Sequence, residues 1–453
     1  MPRPAEPMSW SAAGVLETRV VAERLPLALQ VYRLAAASAV PAVEALLRYR
    51  LRRGKEHAQR LGERRGVGSL PRPPGPLVWV HGASVGELIS TLPLIEDICR
   101  RDIAVLVTAG TVTAAETAAR RLPPGAIHQF VPVDVPQYAG RFLNYWKPDL
   151  ALIVESDLWP NLILASARRR IPLILVNGRI SERSYRRWNL APRTIAALLG
   201  RFDLCLAQSS EDATRYADLG APRYLTTGNL KLDVPAPPAD ESRLWMMRTA
   251  VGVRPIVAAA STHPGEEELM IEVHRRLKSS FPSLLTIVVP RHPERGEAVA
   301  GAAKASGRSF AVRSRGDLPE RSTEIYIADT LGELGLFYRI APIVFMGGSL
   351  VGHGGQNPIE AGKLGAAILH GPHVWNFAEL YTALDAARGA VSVSDIDQLT
   401  AQIGAWLKDA DARNNAAENA KRVIDMLAGG LARTMTALDP YLLQLRLERS
   451  AHA

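Results

Sequence analysis

The feature that most restricts how this chain can fold is a rhythm of short apolar runs. Runs at residues 77–80, 103–107, 150–154, 171–176 and 204–207 alternate with stretches of helical spacing such as 113–121 and 158–170. Runs of this length suit strands buried on both faces, and the stretches between them suit helical crossovers, so the pattern implies a parallel sheet. The rhythm then restarts, with strands expected near 256–260, 284–289, 325–328, 343–346 and 367–370 and a helical tail from about 395 to 446. Between the two series the stretch 228–242 holds three prolines and reads as a stiff connection. At 453 residues the chain has room for two or three domains. We expect an amino-terminal segment over 1–70, a first α/β domain over 71–232 and a second over 233–453 that includes the helical tail, with a ligand cleft between the two α/β halves.

In open parallel sheets ligands gather at the carboxyl ends of strands, so the loops there are where chemistry is sought. After the first run, Gly82-Ala-Ser-Val-Gly-Glu87 leads into a helix whose Leu88, Leu92 and Ile95 share a face. Glu87 stands in the first turn, where the helix dipole favours a carboxylate. Two readings stay open there: a reactive group, or a cap. The loop has neither the G-x-G-x-x-G spacing nor a Gly-Lys-Ser/Thr. Glu155 and Asp157 leave a later run on the same edge, but no histidine has ligand spacing to either, which argues against metal catalysis. Arg179, Arg183, Arg186 and Arg187 crowd another strand end, where they either grip an acidic acceptor or form a solvated face.

The second half carries a stronger phosphate signal. The segment Gly347-Gly-Ser-Leu-Val-Gly-His-Gly-Gly-Gln-Asn-Pro-Ile-Glu360 places five glycines after a strand and enters a helix with Asn357 as N-cap, Pro358 at the first position and Glu360 in the first turn. Glycines let backbone amides approach an anion and a helix start offers unpaired N–H groups, so we read a phosphate cradle with Glu360 facing ribose hydroxyls. Pro290-Arg-His-Pro-Glu-Arg295 ends another strand with Arg291 or His292 at its tip, as a phosphate grip or a salt-bridged turn. At Ala328-Asp-Thr-Leu-Gly-Glu333, Thr330 reads as an N-cap with Glu333 completing the box. Ser261-Thr-His263 precedes three glutamates; capping accounts for the acids and leaves His263 unexplained.

Composition narrows the partners. A net charge of +9 favours an anion: nucleic acid, phosphorylated substrate or acidic lipid. Basic clusters that flank strand ends and an apolar segment, without an aromatic-interleaved groove, argue against nucleic acid. Cys99 and Cys205 lie among aliphatic residues and read as buried reduced thiols, with no disulfide framework or zinc site. Residues 1–24 are expected to be loosely held. The apolar stretch 25–47 is long enough to cross a bilayer but is interrupted by Arg33, Pro41 and Glu44, and Arg48, Arg50, Arg52, Arg53, Lys55, Arg60, Arg64 and Arg65 follow it. A shallow interfacial helix on anionic headgroups fits better than a span, and a soluble amphipathic helix fits equally well. A basic n-region and cleavage site are missing, so no signal peptide is expected.

Taken in order, His81-Gly-Ala-Ser-Val-Gly-Glu87, Glu155-Ser-Asp-Leu-Trp-Pro160, Asn177-Gly-Arg-Ile-Ser181, Gly228-Asn-Leu-Lys231, Pro290 to Arg295, Leu331-Gly-Glu333, Gly347-Gly-Ser349, Asn357-Pro-Ile-Glu360 and Gly371-Pro-His373 resemble the Kdo (3-deoxy-D-manno-octulosonic acid) transferases of lipopolysaccharide inner-core assembly. The resemblance implies a GT-B glycosyltransferase with two Rossmann-like domains and a membrane-associating amino-terminal helix, at the cytoplasmic face of the inner membrane. It would move Kdo with inversion from CMP-Kdo to a lipid A precursor (lipid IVA), without metal or other cofactor. The resemblance gives Glu87 as general base and CMP contacts at Pro290, Arg291, Leu331, Gly332, Glu333, Asn357, Pro358, Ile359 and Glu360. Acceptor-side or secondary contacts would fall on Ser84, Glu155, Arg179, Arg183, Lys231, His263, Gly348 and Ser349. The rival readings are a nucleotide-sugar epimerase, a dinucleotide oxidoreductase or another GT-B transferase, and a non-catalytic basic membrane-bound scaffold.

Overall fold

The computed structural model describes residues 25–155 and 158–451; residues 1–24 and Asp157, on which two of the expectations above fall, lie outside them. The chain divides into two compact units, Met1–Val234 with Ala428–Ala453, and Pro235–Leu427.

The first unit is built on a seven-stranded sheet of β1 (Leu77–His81), β2 (Ala104–Ala109), β3 (Ala126–Phe130), β4 (Leu150–Val154), β5 (Leu173–Gly178), β6 (Leu204–Ala207) and β7 (Tyr224–Thr226), in the order β3-β2-β1-β4-β5-β6-β7. Every pairing is parallel. Alternate residues feed opposite layers: Leu77 and Trp79 pack with Phe142 and Trp146, while Val78 and Val80 pack with Leu94 and Ile98. The second unit repeats the plan with β8 (Ile256–Thr262), β9 (Leu285–Pro290), β10 (Phe310–Val312), β11 (Ile325–Ile327), β12 (Ile343–Met346), β13 (Ala367–His370) and β14 (Ala390–Ser392), in the order β10-β11-β9-β8-β12-β13-β14. In the first sheet the chain runs outward from β1 through β2 to β3 and then returns to the other side of β1; in the second it runs from β8 to β9, out to the edge at β10 and back in to β11, and then returns to the other side of β8. The topological switch points, where crossover loops diverge and leave a crevice, are therefore β1/β4 and β8/β12.

Two expectations need correcting. The helical tail is three helices, Ile396–Lys408, Ala410–Leu427 and Gly430–Ala451, and the last belongs to the first unit. Its Met435, Leu438, Tyr441, Leu442 and Leu445 join the layer of Val78, Val80, Leu94 and Ile98. Asp233 accepts N–H groups from Gly429 (2.6 Å) and Leu431 (2.9 Å), so the two ends of the first unit's chain are stitched together.

The apolar stretch near the amino terminus is two helices, Leu27–Ser38 and Val40–Arg52, with Pro41 at the start of the second. Among the described residues no helix is long and apolar enough to cross a membrane. Half of the basic run turns inward instead of facing lipid. Arg50 and Arg64 bind Glu56, Arg60 binds Glu63, and Arg65 binds Glu44, which also accepts from the Tyr138 hydroxyl. Arg65 and Tyr138 hold the Glu44 carboxyl down at about 2, which is how an acid is accommodated in this segment. The helices keep an exposed apolar face at Leu27 (74 % exposed), Val31, Leu34 (71 %), Leu46 and Tyr49, next to exposed Arg48, Arg52, Arg53 and Lys55.

Candidate functional site

In the first unit, β1 ends at His81 and the helix Val85–Cys99 begins after a three-residue turn. Ser84 is the N-cap: its Oγ accepts the Glu87 N–H at 3.2 Å and donates to Glu87 Oε1 at 2.8 Å. The Ala83 N–H donates to Glu87 Oε2 at 2.7 Å. Ser84 therefore caps the helix while the Glu87 carboxylate braces the turn before it, half-buried at the open end of the sheet. Burial, and next the nearby Glu155 carboxylate, push its pKa above the ordinary glutamate value, while the hydrogen bonds from Ser84 and Ala83 oppose the rise.

Glu155 follows β4, across the switch point from Glu87, with the left-handed backbone angle φ 58° that favours glycine. Its N–H donates to the Val176 carbonyl, and Lys231 Nζ lies 2.6 Å from its Oε1. Asn177, at φ 54° in β5, is fully buried; its Oδ1 accepts the Leu230 N–H and so places the Lys231 turn. Two strained backbones at adjacent strand ends mark where the fold gives up local comfort to aim side chains. Ser84, Glu87, Glu155 and Lys231 are thus brought together. Burial raises the Asp212 carboxyl above the ordinary aspartate value, with nearby Arg179 among the groups that oppose the rise, and Arg183 stands on the exposed face of the helix Glu182–Trp188.

In the second unit the glycine-rich loop after β12 corrects an expectation. The helix start is Ile359, in a five-residue helix Ile359–Lys363, and Asn357 Oδ1 accepts the Ile359 N–H at 3.1 Å. The N–H groups of Gly348 (2.7 Å), Ser349 (3.1 Å) and Leu350 (3.1 Å) all donate to the carboxylate of Glu266, which also accepts the His263 N–H at 2.9 Å. Glu266 is completely buried, so the chain fills its own cradle at these positions. Ser349, expected as a contact, is buried too, with its hydroxyl donating to the Met346 carbonyl and accepting the Gly371 N–H. It braces the loop. Gly348 has φ 67°, and a Cβ there would meet His263 and Gln356 at 3.3 Å, so this glycine keeps the space beside His263.

Around that space stand His263 after β8, Arg291 and His292 after β9, and His353 and Gln356 in the glycine-rich loop. The His263 and His353 rings stack with centroids 4.1 Å apart, His292 lies edge-on at 6.2 Å, and Gln356 Nε2 is 3.1 Å from His263 Nε2. Arg291 is exposed; its N–H donates to the Thr262 carbonyl, which fixes the turn after Pro290.

The Glu333 carboxylate is already engaged. It takes both arms of Arg313 (3.0 and 2.7 Å), the Thr330 hydroxyl and Arg243, and Arg313 holds its pKa down at about 2. It is the N-cap of the helix Leu334–Tyr338, so the expected cap at Thr330 is displaced, and this corner offers a ligand exposed Leu331 and Gly332. Glu360, in the first turn after Ile359, lies near Tyr338. Among the described residues no group of three or more His, Cys, Asp or Glu is placed to hold a metal ion. The reading of the sequence missed Glu266, His353 and Gln356. The signal for Glu266 was available: three consecutive glutamates exceed what one cap uses, and only Glu268 bonds back to the Gly265 N–H.

Two parallel sheets of Rossmann type, each with its own switch point, give the chain a GT-B fold. A glycosyltransferase from Rickettsia africae shares this fold, with a TM-score of 0.56 and 12% identity over 82% of this chain and 99% of that one. The family described as 3-deoxy-D-manno-octulosonic-acid transferase (kdotransferase) matches residues 59–234. A probable mitochondrial 3-deoxy-D-manno-octulosonic acid transferase of Arabidopsis thaliana is 37% identical over 369 residues, 79% of this chain and 83% of its own. The 3-deoxy-D-manno-octulosonic acid transferase of Haemophilus influenzae is 35% identical over 394 residues, 85% of this chain and 92% of its own. The chain belongs to the 3-deoxy-D-manno-octulosonic acid (Kdo) transferase family and is a glycosyltransferase.

Proposed function

We propose that this chain moves Kdo from CMP-Kdo to a primary hydroxyl of a lipid A precursor, lipid IVA, with inversion and without a metal. The observation that carries the reading is the Glu87 carboxylate, held by Ser84 and Ala83 at the open end of β1 with its proton affinity raised by burial and by Glu155. A base poised nearer neutrality removes a proton more effectively than an ordinary glutamate. Glu87 takes the hydroxyl proton; the hydroxyl oxygen forms a bond to the anomeric carbon; the bond from that carbon to the phosphate oxygen breaks, and its electron pair leaves with CMP. The departing group carries its own charge, so cationic side chains and backbone amides suffice to stabilise it. Lys231 beside Glu155 and the arginines Arg179 and Arg183 offer the acceptor's phosphates a positive approach.

The same reading puts the enzyme on the cytoplasmic face of the inner membrane, attached at the interface. The exposed Leu27, Val31, Leu34, Leu46 and Tyr49 next to four exposed basic residues support it, since apolar contact and anionic attraction add.

Incubation with a CMP-Kdo donor and lipid IVA, followed by mass spectrometry of the products, tests the proposal. Glu87→Gln keeps the fold and CMP binding, and lowers turnover by roughly 10²–10⁴-fold. Substantial transfer by that variant removes Glu87 from the mechanism. Failure of the unaltered protein to make any Kdo-bearing lipid, with thermal stabilisation by UDP in place of CMP, favours the epimerase reading.

A further inference from the structure

The crevice of the second unit has to meet an anion with fewer backbone donors than its glycines suggest. The amides of Gly348, Ser349 and Leu350 are spent on Glu266, the Ile359 N–H is spent on Asn357, and Glu333 is locked to Arg313. With those four amides engaged, side chains take a larger share of the work. His263, His353, His292, Arg291 and Gln356 converge on the β8/β12 switch point from three separate strand ends.

His263 is the centre of the group. It is half-buried, stacked on His353 and within 3.1 Å of the Gln356 amide nitrogen. An amide NH₂ donates, so the imidazole Nε2 accepts there and the ring is neutral with its proton on Nδ1. Among the described residues, the charged and titratable groups that face it are Glu266 beneath it from the helix Glu266–Leu277, His353 from the loop after β12, and Arg291 and His292 after β9. Burial first, then His353, His292 and Arg291, hold its pKa below the ordinary imidazole value, and Glu266 alone opposes them. A phosphate entering between His263 and Arg291 reverses that balance, because a nearby negative charge favours the imidazolium.

On the reading above, that the nucleotide of the donor occupies this unit, we infer that His263, stacked on His353 and flanked by Arg291, receives the nucleotide's phosphate and takes up a proton as it binds. The Nε2 lone pair accepts the proton from water or buffer, and the Nε2–H then donates to a phosphate oxygen while Gln356 turns its amide aside. Gly348 is required because a side chain there would occupy the His263 edge. When CMP departs the proton is returned, so binding and release of nucleotide are linked to pH through one ring.

Calorimetry of CMP binding to the full chain at pH 7.5, in two buffers of different ionisation enthalpy, reads the protons exchanged. The expected result is uptake of a substantial fraction of a proton by the unaltered protein. His263→Gln loses that uptake and binds CMP at least tenfold more weakly, yet binds cytidine, which lacks the phosphate, as before. Comparison with the variant cancels CMP's own ionisation. Unchanged CMP affinity and proton uptake in His263→Gln overturn the inference, and so does equal loss of cytidine and CMP affinity, which marks a structural role. If the unaltered protein binds no CMP, the transferase reading itself fails. Inorganic phosphate as the probe then decides the subsite alone: phosphate binding that His263→Gln abolishes sustains it, and binding it leaves unchanged overturns it.

Discussion

Glu87 does two things with one carboxylate. Both oxygens receive a local donor, from Ser84 and Ala83, and each oxygen keeps lone-pair capacity toward the open end of the sheet. A base in this setting is active only when ionised, and its pKa stands above the ordinary glutamate value. The acid limb of kcat/KM is therefore expected at a higher pH than an ordinary glutamate would give. Glu155→Gln removes the second-largest cause of the rise and frees Lys231, so the limb moves to lower pH, read from a rate profile across the acid range. A limb that stays in place separates Glu155 from Glu87. At this scale the sequence was informative about type and position but not about engagement. Glu87, Glu155, Arg291 and His263 stand at strand ends as spacing required, and Lys231 joins them from the turn Leu230–Leu232. Whether a side chain faces a ligand or is consumed within the protein depends on partners far along the chain, as Glu333 with Arg313 and Ser349 with Gly371 show.

The loop after β12 illustrates how an element can be organised by a residue outside it. Glu266, more than eighty positions earlier, gathers three of the loop's amides and that of His263 in a site without water access. Glu266→Ala leaves those buried donors unpaired, at roughly 1–3 kcal/mol each if none is resatisfied. We expect the second unit to lose at least about 3 kcal/mol, measured by urea unfolding, with nucleotide binding lost at the same time. A variant of unchanged stability would show that the loop holds its shape without the carboxylate. The central strands were legible in the sequence because burial on both faces makes them uninterrupted apolar runs. The four strands not anticipated, β3, β7, β10 and β14, are the four sheet edges. Edge strands lack one neighbour and are short and more polar, as in Tyr224–Thr226, so the signal used for the others is weak there.

At the level of the whole chain, two repeating α/β patterns and a proline-rich join were enough to foresee two units. The ownership of the final helix was not legible, because its apolar residues fit any open layer and only the fold shows which one they cover. Met435, Leu438, Tyr441, Leu442 and Leu445 are buried against the first unit's sheet and helix Val85–Cys99. Side chains of this kind contribute roughly 1.5–3 kcal/mol each when fully buried, so together they rival the total stability of about 5–15 kcal/mol typical of a domain. Removal of residues 428–453 is expected to abolish the cooperative thermal transition of the first unit while that of the second survives, as seen by scanning calorimetry. Two retained transitions would show that the helix is dispensable. During synthesis, residues up to 234 leave the ribosome with one flank of their sheet uncovered, and that flank stays bare until the helix Gly430–Ala451 has emerged. The nascent protein thus carries a sticky apolar surface while the whole second unit is being made, which makes the earlier-made lobe the later one to mature and a natural client for a chaperone.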